Sequence, residues 1–353
     1  MVKVVCIGAE RLVDGRGDLG EVEYLIRRLS DEFDLQPRTL SIDPLKVDWH
    51  SELEVDHFRS GCGPIEAMDA AVELIGQGVE KAVVIEGRDY LRSEYGSAER
   101  QTAMSIYADE TPLTEAYDAL TNVYIENNGL SKHQFLTLRD ALFENHWRCY
   151  QAQTPNAKRP NERWFEPLTE LFRGVDCANP VVDFEGKLLL VSLVTAQQLG
   201  ISADKIVEIS AVGLGELPND GPNYTAEIAE YRHLANAVKA LELKHEGGSL
   251  RQLHVEGRLL LDLYTCYPVV PLACLMATGL VDDVNGLLEF IETNPLTQTG
   301  GMNLARGAWN NPALNGLIAM YEALVAESQL ERRSGLVHGN GGLGYRQGLV
   351  LMS

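Results

Sequence analysis

The sequence predicts an α/β protein built from two similar halves, with a separate segment inserted in the first. Three observations carry this. Short β-branched apolar runs bounded by glycine alternate with longer amphipathic runs. A strand-like run, a Cys-x-Pro and a helix-like run occur in that order twice, Cys266 and Pro268 each lying 204 residues after Cys62 and Pro64. Between the copies, residues 91–174 change texture, with aromatics, asparagines, prolines and charges interleaved. At 353 residues the chain has room for two or three units.

The elements follow in order. Residues 2–8 form a buried β-branched strand, and residues 21–33 a helix with Leu25, Ile26 and Leu29 on one face. Residues 57–60 are extended. Pro64 opens a helix, where its missing N–H costs nothing, and that helix runs to about Gln77 before Gly78. KAVVIE (81–86) is a second buried strand. Helical patches such as residues 134–150 lie in the insertion. Residues 187–199 are expected as an apolar helix ending at Gly200, and residues 205–215 as a strand. Residues 225–243 are expected as one amphipathic helix presenting Ile228, Tyr231, Leu234, Ala235 and Val238. LLLDLY (259–264) is strand-like, an apolar helix runs on to Gly279, and residues 287–291 are a weak strand. The halves are therefore expected at 1–90 with 175–203 and at 204–353, with the insertion at 91–174.

Composition excludes some functions. Fifty-one acidic against 30 basic side chains give a formal charge of −21, a surface that repels nucleic-acid backbones. Six cysteines without CxxC or zinc-type spacing predict free thiols in a reducing, cytoplasmic setting, with no metal. The N-terminus lacks the layout of a signal peptide. Residues 263–281 are long and uncharged enough to resemble a membrane span, but Pro268 and Pro271 interrupt them and acids flank them. A strand, a turn and a buried helix account for them, and no span is expected.

Three places can carry chemistry. In SGCGPIEAMDAA (60–71) a thiol heads a helix, where unpaired N–H groups lower a thiol pKa and can hold an oxyanion. Cys62 is thus a candidate nucleophile and Cys266 a candidate facing partner; the alternative for either is a cysteine that fills core space. LVHGNGGLGYRQG (336–348) is glycine-rich, letting a backbone approach a ligand near Gly341 and Gly342, and His338 is a possible base there. WRCYQAQTPNAKRPNERW (147–164) sets Arg148, Lys158, Arg159 and Arg163 beside Trp147 and Trp164, a combination suited to an adenine nucleotide with further phosphates, or simply a solvated loop.

Nearly the whole chain resembles the thiolase superfamily, most closely its sterol-carrier-type, acetyl-CoA acetyltransferase-like branch. LTQTGGMNLARGAWNNPALNGLIAMYEALVAE, GLVHGNGGLGYRQGLVL, DLYTCYP and TPNAKRPNERWFEPL carry the resemblance. It implies two βαβαβαββ halves in five layers with an inserted loop domain, an acyl-CoA substrate with no separate cofactor, and a homodimer. Members of this branch often continue into a further C-terminal domain, so a separate partner subunit is also expected.

The catalytic motifs depart from the family pattern. Gly61 falls at the nucleophile and Cys62 one place later. Tyr264 takes the polar Asn/His position, Gly307 that of the GHP histidine, and His338 that of the second cysteine. Two functions follow. In one, Cys62 forms an acyl thioester with Cys266 and His338 moving protons, making an acyltransferase or Claisen-type enzyme. In the other, a degenerate thiolase fold binds acyl-CoA or a partner without turnover. A hydrolase elbow fails, because Ser60 and Pro64 stand where it needs glycines.

Overall fold

The computed structural model describes residues 2–107, 111–327 and 333–353. In chain order its elements are β1 (Val4–Val13), β2 (Arg16–Gly17), α1 (Gly20–Phe33), β3 (Arg38–Ile42), β4 (His57–Phe58), α2 (Gly63–Gly76) and β5 (Ala82–Tyr90). The insertion supplies α3 (Ser97–Ala103), α4 (Leu113–Asn127) and α5 (Lys132–Gln153). There follow β6 (Asp183–Ser192), α6 (Leu193–Gln198), β7 (Val207–Glu216), α7 (Thr225–Ile228), α8 (Arg232–Lys244), α9 (Leu250–Val255) and β8 (Leu259–Asp262). The chain closes with α10 (Val269–Ala277), α11 (Leu287–Thr293), α12 (Pro312–Val325), β9 (Ser334–Gly341) and β10 (Arg346–Met352).

The strands join in the order β4-β3-β5-β6-β1-β7-β10-β9-β8, with β2 on β1. Alternation along the strands sorts side chains between two faces. On β1, Val5 and Ile7 pack under α1 and α6, while Val4 and Cys6 face a central layer with α2 and α12. On β10, Val350 and Met352 enter that same central layer, while Leu349 and Leu351 face α8, α10 and the insertion. The result is five layers: helices, half-sheet, helices, half-sheet, helices. Strands buried on both faces need the unbroken apolar runs this sequence has.

The internal repeat is real, but its register differs from the sequence expectation. Antiparallel β1–β6 and β5–β6 and parallel β3–β5 match β7–β10, β9–β10 and β8–β9 in the second half. The helix leading into β5 is α2; the helix leading into β9 is α12, not α10. Both are 14 residues long with proline in the first turn. Pro64 therefore matches Pro312 rather than Pro268, and the Cys62–Cys266 correspondence is a local coincidence. Cys266 instead lies between β8 and α10, on the other side of the sheet.

Other expectations change as well. Residues 183–192 are strand β6, and only Leu193–Gln198 is helical. LLLV is apolar on both faces because both faces of β6 are covered, so it shows no strand period. Leu287–Thr293 is a helix. The expected helix over 225–243 breaks at Tyr231, which adopts φ 49°. That break shifts the phase, exposing Ala235 and burying His233 and Ala237. No helix among the described residues is long and apolar enough to cross a membrane.

The insertion enters between the neighbouring strands β5 and β6 and packs on the second half. Tyr117, Leu120, Phe135 and Leu138 share one apolar core with Leu261, Cys266, Tyr267 and Leu349. This places α4 above the ends of β8 and β9, forming a roof over a cavity.

His146 on α5 is half-buried, with its Nε2 enclosed and without a partner among the described residues. Burial lowers its pKa to about 4. A histidine depressed in the fold costs stability as pH falls, because the unfolded chain takes up the proton first. Between pH 7 and pH 5 the wild type should therefore lose about 2 kcal/mol more than His146→Phe, at 1.36 kcal/mol per pKa unit. Denaturant unfolding at the two pH values measures this difference.

Candidate active site

β4 runs into α2 through a strained turn. Ser60 adopts φ 98°, a region that disfavours side chains, and its Oγ accepts a hydrogen bond from the Cys62 N–H at 3.1 Å. Non-glycine residues held in such conformations gather at functional sites. The tip of the turn is Gly61. Its φ is ordinary, so it is glycine for want of room: a Cβ there would overlap the Tyr264 hydroxyl and lie 2.5 Å from the Tyr264 Cζ. Tyr264, from the loop after β8, thus places its hydroxyl where a side chain at position 61 would begin.

Gly61 and Tyr264 line a cavity of about 700 Å³, within the size range of small-molecule sites. Trp49, Ile106, Leu113, Val181, Met302 and Trp309 make much of its wall apolar. Trp49 and Trp309 meet edge to face, with centroids 6.0 Å apart. Arg59 secures the Trp49 segment: it pairs with buried Asp43 at 2.8 Å and donates to the carbonyls of Asp48, Trp49 and Ser51. Arg100 is the one charged side chain among the described lining residues, and it donates to the Leu91 carbonyl.

A directed hydrogen-bond chain runs along the inner wall. The Gln347 amide donates to Asn340 Oδ1 at 2.6 Å and to the Gly344 carbonyl at 2.9 Å. Asn340 Nδ2 donates to the Tyr117 hydroxyl at 3.0 Å, and Tyr117 donates to the Gly342 carbonyl at 2.9 Å. The Cys266 thiol donates to the Tyr117 oxygen at 3.5 Å. Burial raises the pKa of Tyr117 and Tyr264 well above 10, and pushes Cys266 up to about 12. All three stay protonated at neutral pH; Tyr117 and Cys266 donate within the chain, and the Tyr264 hydroxyl keeps its proton to give.

Of the expected trio, only Cys266 lines the large cavity. Cys62 is 1% exposed and sits in the central core, with its Sγ 2.9 Å from where a Cβ on Gly348 would stand. It does head α2, as the sequence suggested. Burial, followed by Glu66, nevertheless drives its pKa up rather than down. His338 stands behind Tyr264, with ring centroids 6.5 Å apart, and burial lowers its pKa to about 4. Cys62 and His338 therefore do not share the lining of the large cavity with Cys266.

The expected binding residues are likewise dispersed. Gly342 lines the cavity, but its backbone adopts φ 56° with the Asp220 carboxylate against it, a poor setting for phosphate. Gly341 gives way to Ser60, whose Oγ would lie 2.6 Å from a Cβ there. Lys158, Arg159 and Arg163 are exposed and outside the cavity lining. Arg159 pairs with Glu144 and covers the Phe143 ring, and Arg163 lies over Trp164. Arg148 donates to the carbonyls of Glu292 and Ile291. No group of metal-ligating side chains occurs among the described residues.

Tyr117, Asn340 and Gln347 carry no signal in the sequence, because their roles arise only where α4, β9 and β10 meet. Tyr264 did carry one, in its polar-position alignment. Thiol reactivity checks this geometry. At neutral pH, Cys266 should react with iodoacetamide about 1,000-fold more slowly than an ordinary thiol, since three pKa units remove that much thiolate. Cys62 should label only when the chain is unfolded, as read by peptide mass spectrometry.

No family model matches the chain, and no curated protein matches it in sequence. Solved structures do. A monomeric SCP2-thiolase like protein type 1 from Mycobacterium smegmatis matches at 18% identity and TM-score 0.68, over 99% of this chain and 77% of that one. The Ltp2-ChsH2(DUF35) aldolase matches at 16% and 0.67, over 99% and 97%. The Acat5 thiolase from Ascaris suum, in complex with coenzyme A, matches at 13% and 0.61, over 99% of both chains. The fold is thiolase-like.

Proposed function

We propose that this chain binds a CoA thioester in the 700 Å³ cavity and carries out aldol-type cleavage or addition beside the thioester carbonyl, without an acyl-cysteine. One observation carries the reading: the space above Gly61, at the tip of the strained turn, is filled by the Tyr264 hydroxyl. An acyltransferase needs a thiolate at that place. The two nearby cysteines are held as thiols by burial, and Cys62 is turned into the core.

A neutral phenol suits different chemistry. In the cleavage direction a 3-hydroxyacyl thioester loses its hydroxyl proton, and the Cα–Cβ bond breaks. The products are a free carbonyl compound and a thioester enolate, whose carbon then takes up a proton. A phenol both accepts and donates, so Tyr264 can receive the first proton as it delivers its own. Preorganised donors stabilise the enolate oxygen strongly in a site that excludes water. Support also comes from a structural neighbour titled an aldolase and another solved with coenzyme A. The resemblance to the sterol-carrier-type branch fits the broad apolar wall.

The described lining contains no carboxylate and no histidine, so it offers no group that is basic at neutral pH. This favours a second arrangement in which a partner subunit completes the site; one neighbour is titled as a two-component assembly. The test is product analysis by mass spectrometry after incubation with 3-hydroxyacyl-CoA thioesters. A carbonyl compound and a shortened acyl-CoA in equal amounts support the proposal. Free CoA with an acyl group left on a cysteine would overturn it.

A further inference from the structure

We propose that His338 is a positioning residue, held as the Nε2–H tautomer by Gln347, supporting the Asn340 amide at the cavity wall through that contact, with a buried water meeting its Nδ1. Its role at the cavity rests on the reading above; the water site stands on geometry alone.

The Gln347 amide nitrogen is committed to Asn340 Oδ1 and the Gly344 carbonyl, so its oxygen must face His338. His338 Nε2 lies 2.8 Å from that oxygen and is therefore the protonated nitrogen. Nδ1 is then a bare acceptor. It is fully buried in a residue 1% exposed, and no donor among the described residues reaches it. An unmet buried acceptor costs roughly as much as a lost hydrogen bond.

His338 lines a second, small void of about 20 Å³, next to Tyr264, Asp262 and Thr265. Asn315 lines the same void, and its Oδ1 also lacks a partner among the described residues. That volume holds one water molecule, and a buried water needs polar neighbours. Water has two protons to give, and the void offers two unmet acceptors. Burial also lowers the His338 pKa, which keeps Nδ1 unprotonated and able to accept from water at neutral pH.

The consequence reaches the large cavity. The His338 Nε2–H reinforces the orientation that Gln347 takes from the Gly344 carbonyl, and with it the placement of Asn340 Oδ1. Asn340 Nδ2 is then obliged to point at the Tyr117 hydroxyl and Cys266. Without the Nε2–H, a ring lone pair would face the Gln347 oxygen, which the Gly344 carbonyl prevents from turning away, and the chain that presents Asn340 Nδ2 to Tyr117 would loosen.

A crystal structure at about 1.5 Å resolution, with nitrogen-15 NMR of the imidazole, tests the water and the tautomer. The expected result is a density peak within hydrogen-bond distance of Nδ1 and an Nε2–H imidazole that stays neutral down to about pH 5. A dry void, or an Nδ1–H tautomer, overturns the proposal. Positioning is read by calorimetric titration with acetyl-CoA. His338→Leu should weaken binding about tenfold, while His338→Gln, whose amide can donate to Gln347, should stay within about threefold. Equal losses in both variants, at unchanged melting temperature, would remove the positioning role. Should the wild type not bind acetyl-CoA, the cavity reading fails on its own, and the NMR and crystallographic results still decide the water site.

Discussion

Tyr264→Phe is expected to lower turnover of a 3-hydroxyacyl-CoA by at least about 100-fold, the range for losing a positioned proton-transfer group. The substitution removes one oxygen and leaves the ring that packs against His338. Stability should therefore change by less than about 1 kcal/mol, and thioester binding by only a few-fold. Cys62→Ala makes the contrast. It should cost about 1–2 kcal/mol of stability as a small core truncation, yet leave turnover within about threefold. A thiolase mechanism through Cys62 requires the opposite pattern. Steady-state kinetics and denaturant unfolding of the two variants decide between them.

Gly61→Ala is expected to be the most damaging single methyl group that can be added near the cavity. Its Cβ would coincide with the Tyr264 hydroxyl and press on the Asn340 backbone oxygen, which lies in strand β9 and cannot move aside. Overpacking of this kind costs about 1–3 kcal/mol. Turnover should fall with it, because the phenol is the group displaced. The cause can be isolated. In Gly61→Ala with Tyr264→Ala, the added methyl no longer meets the phenol, and only its contact with the Asn340 oxygen remains. The double variant should then be more stable than the sum of the single effects by about 1 kcal/mol or more. Additive losses would mean that the two residues are not competing for one place.

The fold was legible where one residue's neighbours in sequence are also its neighbours in space. The β-branched run of β1, the proline at the head of α2 and the capped helix α5 follow from local patterns. The segment 187–192 did not, because a strand covered on both faces has the same apolar texture as a buried helix. The register of the repeat failed for a different reason. Cys-x-Pro is a three-residue mark, whereas the equivalence of α2 with α12 is defined by which strand each helix feeds and by sheet order, and no local signal records that.

The candidate site divides in the same way. The turn at Ser60–Pro64 was visible as a break between strand and helix, and so was the thiol within it. Which way that thiol points depends on Gly348, 286 residues later, whose missing side chain lets Cys62 and Ile65 seat against β10. The helix head was expected to activate Cys62, and burial outweighs it. The vacated place at Gly61 acquires meaning only when Tyr264 arrives from the other half of the chain.

The most direct measurement is a crystal structure of the protein with a CoA thioester bound. The account predicts the thioester oxygen within hydrogen-bond distance of the Tyr264 hydroxyl, above Gly61, with Cys62 still enclosed in the central layer. A thioester carbon seated against the Cys62 sulfur, with Tyr264 swung away, would contradict it.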